Sequence, residues 1–254
     1  MVTFTENTET IDSVERSLKI LETLRVRESA TIGEISESMD IPKSSVHSHL
    51  ATLQKHGYVS GCGDLHRLSF KFLSHGEFTK RQIPMFEDIS DYMEELADET
   101  GENVSFVVED QGECIIISHQ DRNHELPAAT PGTRWPVHCL SAGKAILAEY
   151  PDEKVRSILQ QYPSKQLTEN TIADKKELFN ELQRVREQEY ATNRGERIER
   201  QRSVAVPIKK NNSAPIGAIA VVGPKHRMSE ERIQTELSNK LLVVSDKIEL
   251  KPSL

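Results

Sequence analysis

TIGEISESMDIPKSSVHSHLATLQKHG, residues 31–57, decides the fold of the first part of the chain. Thr31 followed by Glu34 forms a capping box ahead of Ile32, Ile35 and Met39, so a short helix is expected there. It must stop near Asp40, because Pro42 disfavours helical geometry in the residue before it. Pro42 suits the first turn of another helix, whose apolar face is Val46, Leu50 and Leu53, and His56-Gly57 reads as its stop. Upstream, Asp12 with Glu15 reads as a capping pair for a helix carrying Val14, Leu18, Leu21 and Leu24 at helical spacing. Downstream, Tyr58-Val59 and Leu65–Phe70 read as strands around Gly61-Cys62-Gly63-Asp64, a hairpin. Three short helices followed by a hairpin make a winged helix-turn-helix, expected over 10–73 with its helix-turn-helix at about 31–50.

The chain has 254 residues, which favours about two domains. Ser74 to Arg81 reads as a polar helical connector, so a linker helix is placed at 74–83 and a second domain at 84–254. There a helix with Phe86, Ile89, Met93 and Leu96 is expected to end at Gly101. Strands follow at 104–108 and 114–118 around the turn Asp110-Gln111-Gly112. After an irregular stretch come helices near 141–150, 152–161 and 174–189, then strands at about 203–209 and 216–222 joined by the turn Asn211-Asn212-Ser213. A last helix covers about 229–248. The fold class is α+β, with helices packed on an antiparallel sheet.

Composition narrows the function classes. Apolar runs such as Ile216–Val222 fall far short of the ~18 residues of a membrane span. The polar, acidic N-terminus does not resemble a signal or transit peptide, so a cytoplasmic protein is expected. Cys62, Cys114 and Cys139 are widely spaced with no CxxC pair, which argues against a disulfide framework or a structural zinc site. Net charge is −8, but it is unevenly spread. Residues 1–40 carry four bases and nine acids (−5), whereas 41–81 carry six bases against two acids (+4). A local basic stretch inside an acidic chain suffices as a footprint for nucleic-acid phosphates.

The segments SVERSLKILETL (13–24) and TIGEISESMDIPKSSVHSHLATLQKHGYV (31–59) resemble the winged helix-turn-helix of IclR-type transcriptional regulators. TGENVSFVVEDQGE, PGTRWPVHCLSAGKAILA, YATNRGE, RSVAVPI and PIGAIAVVGP resemble that family's second domain, in its order and at about its spacing. The resemblance, over roughly residues 10 to 250, implies a GAF-like effector domain behind a DNA-binding domain. It further implies assembly as dimers or dimers of dimers, operator DNA and a small-molecule effector as partners, and no enzymatic activity. Two departures stand out: Ser48 replaces an arginine common on the recognition helix, and Leu140 and Ser141 replace a Thr-Ala pair in the effector loop.

On the third helix Ser44, Ser48 and Ala51 lie opposite the core positions, flanked by Ser45, His47 and Thr52. Small polar groups let a helix lie close in the major groove, where hydroxyls and an imidazole reach base edges or phosphates. Lys43 at the first turn and Thr31 at the start of the preceding helix suit phosphates, and Arg67 suits a wing contact. His49 falls nearer the core and reads as structural.

In the second domain Ser141 could cap a helix whose N-terminal donors, with Ala142 and Gly143, would suit a carboxylate. His138, Asn193, Arg194 and Glu196 could orient such a ligand in a pocket walled by Val204, Val206, Ala220 and Val222. SAGKA is not a phosphate loop: His138 and Ala145 stand where glycine and Ser or Thr are required. No hydrolase or metalloprotease motif occurs, and neither metal nor cofactor is expected. The rival readings are a redox enzyme using Cys114 or Cys139 and a metal sensor using Cys62, His66 and His47 or His49.

Overall fold

The computed structural model describes residues 9–126, 129–210 and 214–251, and divides into two compact units, Met1–Gln82 and Ile83–Leu254. Residues 1–8 and the turn expected at 211–213 lie outside the described residues.

The first unit is a winged helix-turn-helix. Helix α1 spans Asp12–Arg27, α2 Ile32–Met39 and α3 Lys43–Lys55. The Thr31–Glu34 capping box is formed in both directions, and Asp40 ends α2 in the left-handed conformation. The Asp12–Glu15 cap is not formed: Ile11 is the N-cap without a side-chain bond, and Glu15 instead accepts from the Thr10 hydroxyl. The wing strands β2 (Val59–Cys62) and β3 (Leu65–Leu68) pair around Gly63-Asp64, and a two-residue strand β1 (Ala30–Thr31) adds to β3. Ile20, Leu24, Ile35, Val46, Leu50, Leu53 and Val59 close one small core. Helix α4 (Lys71–Arg81) follows. Lys71 Nζ donates to the His56 carbonyl at the end of α3 and lies 4.3 Å from the centre of the Tyr58 ring.

The second unit is built on a six-stranded antiparallel sheet. Its strands are β4 (Asn103–Asp110), β5 (Glu113–Gln120), β6 (Arg134–Pro136), β7 (Ala191–Asn193), β8 (Gln201–Ile208) and β9 (Gly217–Pro224), in the order β6-β5-β4-β9-β8-β7. The two short edge strands, β6 and β7, carry no sequence periodicity long enough to announce them. Positive φ at Gln111 and Gly112 closes the β4–β5 hairpin. One face packs Val104, Phe106, Val204, Val206, Ile219 and Val221 against α5 (Phe86–Thr100) and a C-terminal helical run over 230–249 that contains a π turn at Ile233–Leu237. The other face packs Val107, Cys114, Ile116, Ala205, Ala218 and Ala220 against α6 (Ser141–Ala148), α7 (Asp152–Gln161) and α8 (Lys175–Gln188). The small alanines on this face let α6 lie close, and every α6 residue is buried.

Candidate functional site

On α3 the core positions Val46, Leu50 and Leu53 face inward, and Lys43, Ser44, His47, Ser48 and Thr52 are exposed, with Ser45 half-buried. The hydroxyls of Ser48 and Thr52 donate to the carbonyls of Ser44 and Ser48, one turn back. Thr31 is half-buried and its hydroxyl is held by Glu34. Arg67 is exposed on the wing, with Nε 3.4 Å from Ser60 Oγ. His49 accepts no solvent-facing role: its Nδ1 lies 2.8 Å from Ser17 Oγ on α1. Of the six bases in 41–81, Lys71 is tied to α3 and Lys80 pairs with Glu77. Lys43, Lys55, Arg67 and Arg81 make no ion pair among the described residues.

The second unit holds a cavity of about 50 Å³ between α6 and its face of the sheet. Its apolar wall is Val107, Ile116, Leu140, Ala142, Ala220 and Val222, and its polar groups are Asn103, Ser105, His119, Trp135, Ser141, Asn193, Arg197, Gln201 and Ser203. Of the eleven effector positions expected from the sequence, Ser141, Ala142, Asn193, Ala220 and Val222 line it; the other six do not. Val204 packs in the core of the opposite face. The register pairs Ser203 with Val222 and Ala205 with Ala220, so these four share the cavity side and Val204 and Val206 point away. His138 is buried and donates from Nε2 to the Lys165 carbonyl; burial holds its pKa below the usual imidazole value. Arg194 forms a two-bond ion pair with Glu230. Gly143 serves close packing, since a Cβ there would stand 1.9 Å from the Val137 carbonyl oxygen.

Glu196 is committed to Lys144. The ammonium, fully buried in α6, lies 2.6 Å from Glu196 and 3.2 Å from Glu181. Burial raises the pKa of Glu196 against the lowering pull of Lys144. Ser141 does not cap α6: Leu140 is the N-cap, and the Ser141 hydroxyl lies 2.7 Å from that of Ser203 across the cavity floor. Asn193 organises the turn that follows it, donating to the Cys139 carbonyl and accepting from the backbone N–H of Gly195 and Glu196.

Arg197, Trp135, His119 and Ser105 were not anticipated. His119 was hidden by a β-bulge. Phe106 pairs with Ser118 and Val107 with Ile116, so Ile117 is the extra residue, and Ile116 and His119, an odd number apart, reach the same face. Cys114 and Cys139 are buried, with burial lifting the Cys139 thiol up to about 12 and the Cys114 thiol well above its ordinary value. Among the described residues no group of three or more His, Cys, Asp or Glu side chains could hold a metal ion, and no helix is long and apolar enough to cross a membrane.

A winged helix-turn-helix joined in one chain to a cavity-bearing α+β unit defines a single-chain, ligand-responsive DNA-binding regulator. Comparison with known proteins gives its family. Residues 13–61 match the IclR helix-turn-helix domain, and residues 79–250 match the bacterial transcriptional regulator IclR C-terminal domain. The HTH-type transcriptional regulator XynR of Escherichia coli is 31% identical over 217 residues, covering 83% of this chain and 85% of XynR. The crystal structure of the Thermotoga maritima IclR superposes with a TM-score of 0.81 at 23% identity, covering 94% of this chain and 98% of that one. An IclR homolog from Microbacterium hydrocarbonoxydans, solved in complex with 4-hydroxybenzoate, gives 0.78 at 21% identity, covering 94% and 98%. The chain belongs to the IclR family of ligand-responsive transcriptional regulators.

Proposed function

We propose that the chain binds operator DNA as a homodimer, or a dimer of dimers, in the cytoplasm, and controls a catabolic operon in response to a small organic acid held in the α6 cavity. In this reading Lys43, Ser44, Ser45, His47, Ser48 and Thr52 face the major groove, Arg67 contacts DNA from the wing, Thr31 lies near a phosphate, and α4 with residues up to 83 links the units. Ser141, Ala142, Asn193 and Val222 touch the acid. The observation that carries the ligand reading is the cavity itself, apolar along one wall and lined with polar groups elsewhere. The 4-hydroxybenzoate held by the Microbacterium protein supports a carboxylate as the effector class. Self-association is supported by the start of α1, where Ile11, Val14 and Leu18 are 68%, 51% and 57% exposed at helical spacing, an apolar stripe that no described residue of its own unit covers. A role in binding rather than catalysis is supported by the burial of Cys114 and Cys139, which raises both thiol pKa values.

The test is fluorescence anisotropy on DNA from upstream of its own gene, titrated with a panel of organic acids. One acid should change operator affinity for the parent. Ala220→Leu, which fills the cavity from β9, should bind DNA with unchanged affinity and lose the response. A full response in Ala220→Leu would place the effector elsewhere.

A further inference from the structure

Arg197 is unlike the arginines around it. Arg194, Arg202, Arg227 and Arg232 each pair with a carboxylate, at Glu230 or Glu102. Arg197 is half-buried, lines the cavity, and makes no ion pair among the described residues. Its guanidinium stacks 4.4 Å from the centre of the Trp135 ring, and its terminal N–H donates to Gln201, leaving Nε buried without a partner. Two more buried donors at the same cavity have no partner among the described residues: Trp135 Nε1 and His119 Nε2. The His119 Nδ1 lies 2.9 Å from the Ser105 hydroxyl; when that hydroxyl donates, the remaining proton sits on Nε2. A half-buried cation without a counter-ion and buried N–H groups left unsatisfied carry a desolvation penalty that an anionic acceptor would relieve.

We propose that Arg197, held flat against Trp135, is the residue that recognises the carboxylate of the ligand, with Trp135 Nε1 and His119 Nε2 completing the anion site. This rests on the reading of the α6 cavity as the effector site and moves the anion from the start of α6 to the β5–β6 and β7–β8 side. Stacking fixes the plane of the guanidinium, so its fork is presented in one orientation. Cavity size sets the body of the ligand. About 50 Å³ corresponds to roughly four waters at the ~10–15 Å³ that each requires. That suits a carboxylate of about two to four carbons, whereas a benzoate requires lining side chains to move.

Trp135 is the single tryptophan of the chain, so intrinsic fluorescence of the full-length protein reports on this site without a label. Titration with acetate, propionate, butyrate and benzoate should give a saturable change with at least one short acid. Acetamide, propionamide and butyramide, and sodium chloride at equal ionic strength, should not. Arg197→Met, which keeps length and apolar contact, should weaken the acid by about 10- to 100-fold, the loss of a charge-assisted hydrogen bond, while Arg197→Lys should fall between. Equal response to acid and amide, no saturable response to any acid, or an unchanged midpoint in Arg197→Met would each overturn the proposal. The broader reading fails separately, if the acid quenches Trp135 in an Arg197-dependent way yet leaves operator affinity unchanged.

Discussion

The two units carry function in opposite ways. In the first, the core is a small set of inward positions on three helices and a wing, and the candidate DNA-contacting side chains stand outside it, exposed on α3. In the second, the candidate ligand groups are part of the interior: Ser141 and Ser203 are buried and hydrogen-bonded to each other, Asn193 is buried and donates to the Cys139 carbonyl, and a buried Lys144–Glu181–Glu196 cluster adjoins them. Substitution in the reader should therefore change DNA binding with little change in stability. Substitution around the cavity should change ligand response and stability together.

The largest expected effect tests that contrast at Lys144. Lys144→Met leaves Glu181 and Glu196 facing each other inside the unit, and breaking a buried pair in this way costs about 3–5 kcal/mol. Urea unfolding should show the second unit destabilised by that order while the first unit's transition stays in place. A loss below about 1 kcal/mol would mean that the cluster is hydrated. Next comes Gly143→Ala, whose Cβ would collide with the Val137 carbonyl. Overpacking of this kind costs about 1–3 kcal/mol, read as a lower melting temperature of the second unit.

On the reader, Ser44→Ala and His47→Ala should cost about 1–3 kcal/mol on the true operator and relax preference at one or two base pairs. Lys43→Ala should weaken binding to every sequence and flatten the slope of log affinity against log salt by about 0.9. All three should leave folding stability within about 0.5 kcal/mol of the parent. A change in sequence preference alone for Lys43→Ala would contradict the placement of α3 in the groove.

The smallest effect is a pH dependence of the second unit. Burial lowers the pKa values of His119 and His138 below the ordinary 6.5. The unfolded chain then binds protons more readily, so their contribution is complete above about 6.5 and stability falls as pH drops below it. Thermal unfolding between neutral pH and pH 5 should show this fall, and His119→Gln should reduce it.

The same contrast explains what the sequence disclosed. Reader positions follow from helical periodicity within thirteen residues of α3, and the capping box and the Asp40 stop are local features too. The cavity depends on contacts far apart in sequence. The sequence puts Val204 and Val206 in its wall, and only pairing with β9 shows that Ser203 and Ala205 face α6 instead. His119 needed the bulge at Ile117, and Arg197 needed the turn organised by Asn193. Arg194 and Glu196 attracted notice as charges near a strand, but their partners, Glu230 and Lys144, lie 36 and 52 residues away.

The central claim, that this chain reads specific DNA under the control of a ligand in its second unit, is tested most directly by one titration series. Full-length protein is added to DNA from upstream of its own gene and to a scrambled duplex of equal length, at several salt concentrations, with and without the acid that quenches Trp135. The account predicts tighter binding to the upstream DNA, affinity for both duplexes falling as salt rises, and a shift in upstream affinity alone when the acid is present. Equal affinity for the two duplexes, with no effect of the acid on either, would contradict it.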